Sequence, residues 1–159
     1  MHHKIDGKVK MVDSSIFIAR KLLETMLSHA TFVYPQECCG LLVGISEGGG
    51  KVKKVTSVIP VENVAQKNER SHRYVVDLKK YIDVEMNAEE SNNEVIGIFH
   101  SHPESPAQPS KYDKDFAWPD LSYVIVEVRE RKPVRTSSWT LSEDKSSFVE
   151  EKLIIEKKL

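Results

Sequence analysis

The residues best suited to chemistry lie between Gly97 and Asp115, in the stretch GIFHSHPESPAQPSKYDKD. His100 and His102 flank Ser101 at the end of an apolar run; Pro103, Pro106 and Pro109 follow, and then Ser110 and Asp113. Side chains alternate along a strand, so the two imidazoles point to the same side with Cα atoms about 6.6 Å apart. At that spacing they can share one zinc ion. A tetrahedral catalytic zinc takes three protein ligands and keeps its fourth position for water. Asp113 is the best candidate for the third ligand. The proline-stiffened segment can turn the chain back, and a helix beginning near Ser110 can present Asp113 to the histidines without a large ordering cost.

Each part of this pattern has an ordinary explanation. A His-x-His pair on a strand is common. Ser110-Lys-Tyr-Asp113 also fits a helix capping box, with Ser110 at the N-cap and Asp113 at N3. The two explanations are compatible, since Ser110 can cap a helix and still offer a hydroxyl to the site.

The elements that must position these residues follow from periodicity. Glu94 to Ser101 reads as a strand running into the histidines, and Pro103 to Pro109 must be irregular because proline lacks the N–H donor. Ser110 to about Ala117 reads as a short helix. Upstream, Ser14 to about Phe32 reads as a helix with Ala19, Leu22, Leu23, Met26, Leu27 and Ala30 on one face. Asp13 or Ser14 caps it and Pro35 ends it. Cys39 to Ile45 is a continuous apolar run, as expected of a buried strand, and SEGGGK after it is a turn into a β-rich return from Val52 to Val61. Val61 to Ser71 reads as a polar loop, and HRYVVD as a short strand. Leu78 to about Ser91 reads as a helix whose inner face carries Leu78, Tyr81, Ile82 and Met86. LSYVIVEV, VRTSSWTLS and SSFVEEKLII read as three closing strands. The sum is α+β: one domain over residues 1–159, with 1–12 flexible, in which a mixed or mostly antiparallel sheet packs against helices.

Composition bounds the function. The chain has 159 residues, enough for one domain with a real core, and its net charge of −1 gives no electrostatic case for nucleic acid or anionic membrane. No apolar stretch has the length of a membrane span, and the polar start MHHKIDGKVKMVD lacks the apolar core of a signal peptide. His2 and His3 receive no role. The only cysteines, Cys38 and Cys39, are adjacent, so a bond between them would be strained. Free thiols suggest a reducing compartment and a cytoplasmic protein. The pair reads as two small buried hydrophobes.

His100-x-His102, seven residues, Ser110, two residues, Asp113 resembles the full signature of the JAMM (MPN+) zinc metalloproteases. PQECCGLLVG, from Pro35 to Gly44, is similar to the upstream element of their small stand-alone prokaryotic members. The resemblance continues through WPDLSYVIV (118–126) and SSFVEEKLII (146–155), so it covers nearly the whole chain. It implies a JAB/MPN-like fold with cytidine-deaminase-like layering and one zinc per chain held by His100, His102 and Asp113. Three glutamates compete for the acid/base role. Glu94, six residues before His100, lies about 20 Å away if extended. Glu104 follows Pro103 and is expected to face solvent. Glu37 begins the buried strand, and the family pattern selects it. The resemblance also implies that Ser110 stabilises the oxyanion. Ser110 is not read as a nucleophile, because every nearby histidine is committed to the metal.

The implied substrate is a ubiquitin-like or sulfur-carrier protein with a glycine-ended tail, cut from a lysine adduct or a C-terminal extension. The enzyme is expected to act alone, as monomer or homodimer. Trp118 and Trp139 read as core or rim aromatics, His29 and His72 as single histidines without a role, and KNERSHR (67–73) as a loop that can border the substrate groove. Two alternatives stand beside this reading. One is an MPN scaffold without a metal. The other is a RadC-like DNA-associated domain; that family usually has asparagine where this chain has Ser101, and the lack of a basic patch also counts against it.

Overall fold

A computed structural model describes residues 14–157 and, nearer the N-terminus, a short ladder of β1 (Lys4–Ile5) antiparallel to β2 (Lys8–Val9). Apart from that ladder, the flexibility expected of residues 1–12 falls outside the described residues. In order follow β3 (Ser15–Ala19), α1 (Arg20–Val33), β4 (Cys39–Glu47), β5 (Val52–Val61), a 3-10 turn (Lys67–Glu69) and α2 (Leu78–Glu89). Then come β6 (Glu94–Pro103), α3 (Lys111–Asp115), β7 (Ser122–Arg129), β8 (Lys132–Leu141) and β9 (Phe148–Glu156).

The strand order is β3-β5-β4-β6-β7-β8-β9, and β9 pairs back onto β3 to close a barrel. β3 runs parallel to both neighbours and β6 runs parallel to β7. The remaining pairs are antiparallel. The mixed sheet matches the sequence reading; its closure differs from the layered sheet expected. The cause is local. Residues 15–19 were expected in the first turns of a helix, yet Ile16 and Ile18 are buried while Ser15, Phe17 and Ala19 are less so, a period of two. They form the strand that joins β5 to β9. The helix starts only at Arg20, and its N-cap Ala19 makes no side-chain capping bond. Ser14, expected as a cap, instead donates to the buried Glu151 at 3.1 Å.

Two cores flank the central strands. On one side Leu23, Met26 and Ala30 of α1 pack with Ile16, Leu42, Phe99 and Val124; each such fully buried Leu or Ile is worth about 1.5–3 kcal/mol. On the other side Tyr81 and Ala88 of α2 pack with Leu41, Ile98 and Tyr123. The α2 stripe is therefore Tyr81–Val84–Ala88. Leu78, Ile82 and Met86, expected inside, lie on the adjoining stripe and are 61%, 44% and 62% exposed. HRYVVD forms no ladder.

A bulge in β6 decides where the histidines point. Leu42 pairs with Gly97 and Val43 with Val95, so Ile96 is the extra residue. Ile96 and Phe99 therefore face the α1 core while Val95 and Ile98 face α2. Counting on by alternation, His100 and His102 take the α2 side. Gly40 lies beneath Phe99, where any Cβ would collide with that ring.

Candidate metal centre

His100 and His102 are buried at the C-terminal end of β6, with Nε2 atoms 3.1 Å and 3.0 Å from the same atom, Asp113 Oδ2. Asp113 reaches them from the first turn of α3. Ser110 caps that helix: its Oγ accepts from Asp113 N at 3.0 Å, and Ser110 N donates to Asp113 Oδ2 at 3.0 Å. Capping box and site are thus one construction, and the box aims the carboxylate. Accepting from Asp113 N leaves the Ser110 hydroxyl proton free to donate outward.

Glu37 enters from the chain just before β4 and is 4% exposed. Its N donates to Arg70 O at 2.6 Å, and its O accepts from Asn63 Nδ2 at 3.0 Å. The next residue is locked to the strand between the histidines: Cys38 N donates to Ser101 Oγ at 2.7 Å and Ser101 N to Cys38 O at 3.2 Å. A Glu37 carboxylate oxygen and ring nitrogens of His100 and His102 lie within 4.8 Å of one another, a grouping able to hold a metal ion. Glu37 Oε1 is buried with no hydrogen-bond partner among the described residues. Glu94 and Glu104 are elsewhere: Glu94 pairs with Ser46 at the far end of β6, and exposed Glu104 accepts from Tyr34 and the Glu130 amide.

Charge follows this geometry. Burial pushes the Glu37 carboxyl up to about 8; Asp113 adds to the shift and His102 opposes it. Burial pushes His100 below the ordinary imidazole range, against the pull of Asp113. Burial acts on His102 in the same direction, but the Asp113 carboxylate outweighs it and the net shift is upward. Burial would raise Asp113, yet the two imidazoles hold it well below the usual carboxylate range. Two imidazole nitrogens and a carboxylate turned on one point, with a buried carboxylate oxygen unpartnered beside them, are the donor set of a borderline divalent cation.

The proline loop is tied down at several points. His102 Nδ1 donates to Pro106 O at 2.8 Å, which fixes the ring and turns Nε2 toward Asp113. Ala107 N donates to Glu127 Oε1 at 3.0 Å, while Ala107 O accepts from Ser137 Oγ and, at 3.3 Å, from Trp139 Nε1. Trp139 is thus a strut for the loop, and Trp118, 48% exposed, is a rim aromatic set edge-on to Tyr81. Both cysteines are free and buried, and burial pushes the Cys38 thiol up to about 12, which fits the inert reading.

Sequence reasoning missed Asn63. Its Oδ1 accepts from Ala65 N and Val75 N, and its Nδ2 donates to Glu37 O and Arg73 O. It also missed Tyr74, whose ring stacks on His100. A lone asparagine between Val61 and Val64 was the only trace of the first.

Two depressions flank the cluster. A cleft of about 340 Å3 is lined by Glu37, His72, His102 and Ser110 together with Pro106 and Pro109. An apolar cavity of about 230 Å3 lies behind Asp113, among Tyr74, Leu78, Tyr112, Phe116 and Trp118.

The family described as prokaryotic homologs of the JAB domain matches residues 19–142. The chain is 33% identical over 120 residues to the desampylase of Haloferax volcanii, covering 72% of this chain and 82% of that protein. It is 32% identical over 117 residues to the CysO-cysteine peptidase of Mycobacterium tuberculosis, covering 72% and 75%. A solution structure of a protein from Desulfitobacterium hafniense superposes with a TM-score of 0.78 at 33% identity, over 91% of this chain and 94% of that one. The chain therefore belongs to the small prokaryotic JAB-domain proteins of the JAMM/MPN+ metallopeptidase family.

Proposed function

We propose that the protein is a zinc-dependent peptidase or isopeptidase that cuts the bond after the C-terminal glycine tail of a ubiquitin-like or sulfur-carrier protein. One observation carries this reading. The Nε2 atoms of His100 and His102 converge on Asp113 Oδ2, and a carboxylate oxygen of Glu37 lies within 4.8 Å of ring nitrogens of both histidines. His100, His102 and Asp113 would hold the zinc, which when bound would supply the Lewis acidity that makes water nucleophilic near neutral pH.

The chain's own residues do the rest. Glu37 takes the proton of the attacking water and delivers it to the leaving amine. Its buried site, which raises the carboxyl's affinity for a proton, suits it to hold that proton between the two steps. Ser110, with its hydroxyl proton uncommitted, donates to the carbonyl oxygen as that atom gains charge. The cleft beside Glu37 receives the leaving group. The exposed Leu78, Phe116 and Trp118 beside Asp113 offer an apolar surface to a folded substrate. The substrate class is supported by the desampylase and the CysO-cysteine peptidase to which the chain is similar.

The test is cleavage of ubiquitin-like proteins from the same genome, as lysine conjugates and as linear extensions, with and without a chelator. Wild type should cleave and the chelator should stop it. Glu37→Gln should retain zinc and lose turnover. A protein that takes up no zinc, or a Glu37→Gln variant as fast as wild type, refutes the assignment.

A further inference from the structure

The Tyr74 ring lies nearly flat on that of His100, with centroids 4.5 Å and planes 24° apart. His100 directs Nε2 at Asp113, while its Nδ1 is buried with no hydrogen-bond partner among the described residues. A metal-binding histidine ordinarily donates its second ring N–H to a carboxylate, carbonyl or water, which fixes both tautomer and ring orientation. His102 has such a bond, to the Pro106 carbonyl. His100 has none. The rotation of an imidazole about its terminal torsion is soft, so something else must hold the ring.

We propose that Tyr74 is a positioning residue of the metal centre: its ring face holds the His100 imidazole in the plane that aims Nε2 at the ion, in place of the missing hydrogen bond. This rests on the zinc reading above. A flat neighbour in van der Waals contact blocks ring rotation without needing an acceptor.

Such a support works only if its own backbone is fixed, and residues 72–77 form no ladder. Asn63 supplies the fixation. Its side chain bonds Arg73 O at 3.0 Å and Val75 N at 3.1 Å, closing over the peptide groups on either side of Tyr74. The same Nδ2 bonds Glu37 O at 3.0 Å. One buried amide thus sets the ring behind His100 and the backbone of Glu37 relative to each other. Arg73 extends the grip: its guanidinium lies 3.8 Å from the centroid of Tyr112, the residue before Asp113.

The test compares aromatic and aliphatic variants of the full chain. Zinc affinity is read by competition with a chromophoric chelator, and ligand geometry by the visible spectrum of the cobalt(II)-loaded protein. Tyr74→Phe keeps the flat face and should match wild type in both. Tyr74→Leu keeps apolar bulk without the face. It should bind zinc about 10–100-fold more weakly, the usual cost of losing a ligand's support, with a shifted cobalt band. Its metal-free thermal midpoint should stay near that of Tyr74→Phe. Should the leucine variant misfold, Tyr74→Met replaces it, since methionine fills irregular gaps. An aliphatic variant with wild-type affinity and spectrum overturns the inference, as does a Tyr74→Phe as impaired as the aliphatic one. Wild type that binds no zinc overturns the zinc reading and this inference together. Wild type that binds zinc while all variants match it overturns this inference alone.

Discussion

Ser110 and Asp113 hold each other through two reciprocal hydrogen bonds of 3.0 Å, and the Asp113 oxygen that accepts from Ser110 N is the one that both histidines face. The capping box and the proposed metal ligand set share an atom. The backbone half of the box aims the carboxylate, whereas the side-chain half closes the helix and leaves a hydroxyl proton to spare.

This division predicts how Ser110→Gly behaves. Glycine is nearly as good an N-cap as serine, so stability should fall by only a few tenths of a kcal/mol. The Ser110 amide still aims Asp113, so zinc affinity should be unchanged. The oxyanion donor is gone, and kcat should drop about 10²–10³-fold. Equal losses in zinc affinity and in kcat would show that the hydroxyl only supports the ligand.

Glu37 predicts a pH dependence of the metal-free protein. Its folded carboxyl is raised to about 8 from the ordinary 4.5, so the folded state binds the proton more tightly than the unfolded one. The stability this gives is complete below pH 4.5 and is lost as pH rises to about 8. The upward shift of His102 acts in the same direction, whereas the downward shift of His100 opposes it below pH 6.5. Chemical denaturation of the stripped protein across that range should show a decline of a few kcal/mol. Glu37→Gln should flatten the Glu37 part of it. A variant whose pH slope matches wild type would mean that the carboxyl is not desolvated.

Much of this centre was legible before the fold was known, because its donors sit at spacings that local geometry alone interprets. His100 and His102 share a face since a strand alternates, and Asp113 follows Ser110 at the spacing a capping box requires. What was not legible depends on contacts distant in sequence. Ile16 continues the Ala19, Leu23 and Met26 stripe at helical spacing, so this short segment could be read into the helix, and pairing with β5 and β9 makes it a strand. The extra residue at Ile96 becomes a bulge only against β4. Asn63 and Tyr74 lie in a stretch without periodicity, and their partners Glu37 and His100 are each 26 residues away.

Asn63 should behave as a core residue despite its polarity. It is 7% exposed and its amide serves Glu37 O, Arg73 O, Ala65 N and Val75 N. Removing it leaves buried backbone groups unpaired, each costing about 1–3 kcal/mol. Asn63→Ala should therefore lower the urea midpoint by the equivalent of at least ~2 kcal/mol. A loss under about 0.5 kcal/mol, as for an ordinary surface position, would mean that these bonds add nothing net.

The apolar rim predicts a separation of binding from chemistry. Leu78 is 61% exposed and Phe116 is 63% exposed, so neither does much for the fold. Both line the cavity that Asp113 also lines, so on the proposed function the folded body of a substrate would rest on them while its tail reaches the site. Contacts made equally in the ground and transition states change KM and leave kcat alone. Leu78→Ser with Phe116→Ser should then raise KM for an intact ubiquitin-like substrate at least tenfold, the effect of about 1.4 kcal/mol. The thermal midpoint should stay where it was. A peptide carrying only the tail has no folded body to lose contact with the rim, so wild type and variant should cleave it alike. If the double variant processes the intact protein with unchanged KM, the body of the substrate docks elsewhere. If it slows the peptide as well, the rim shapes the tail's own path past Asp113.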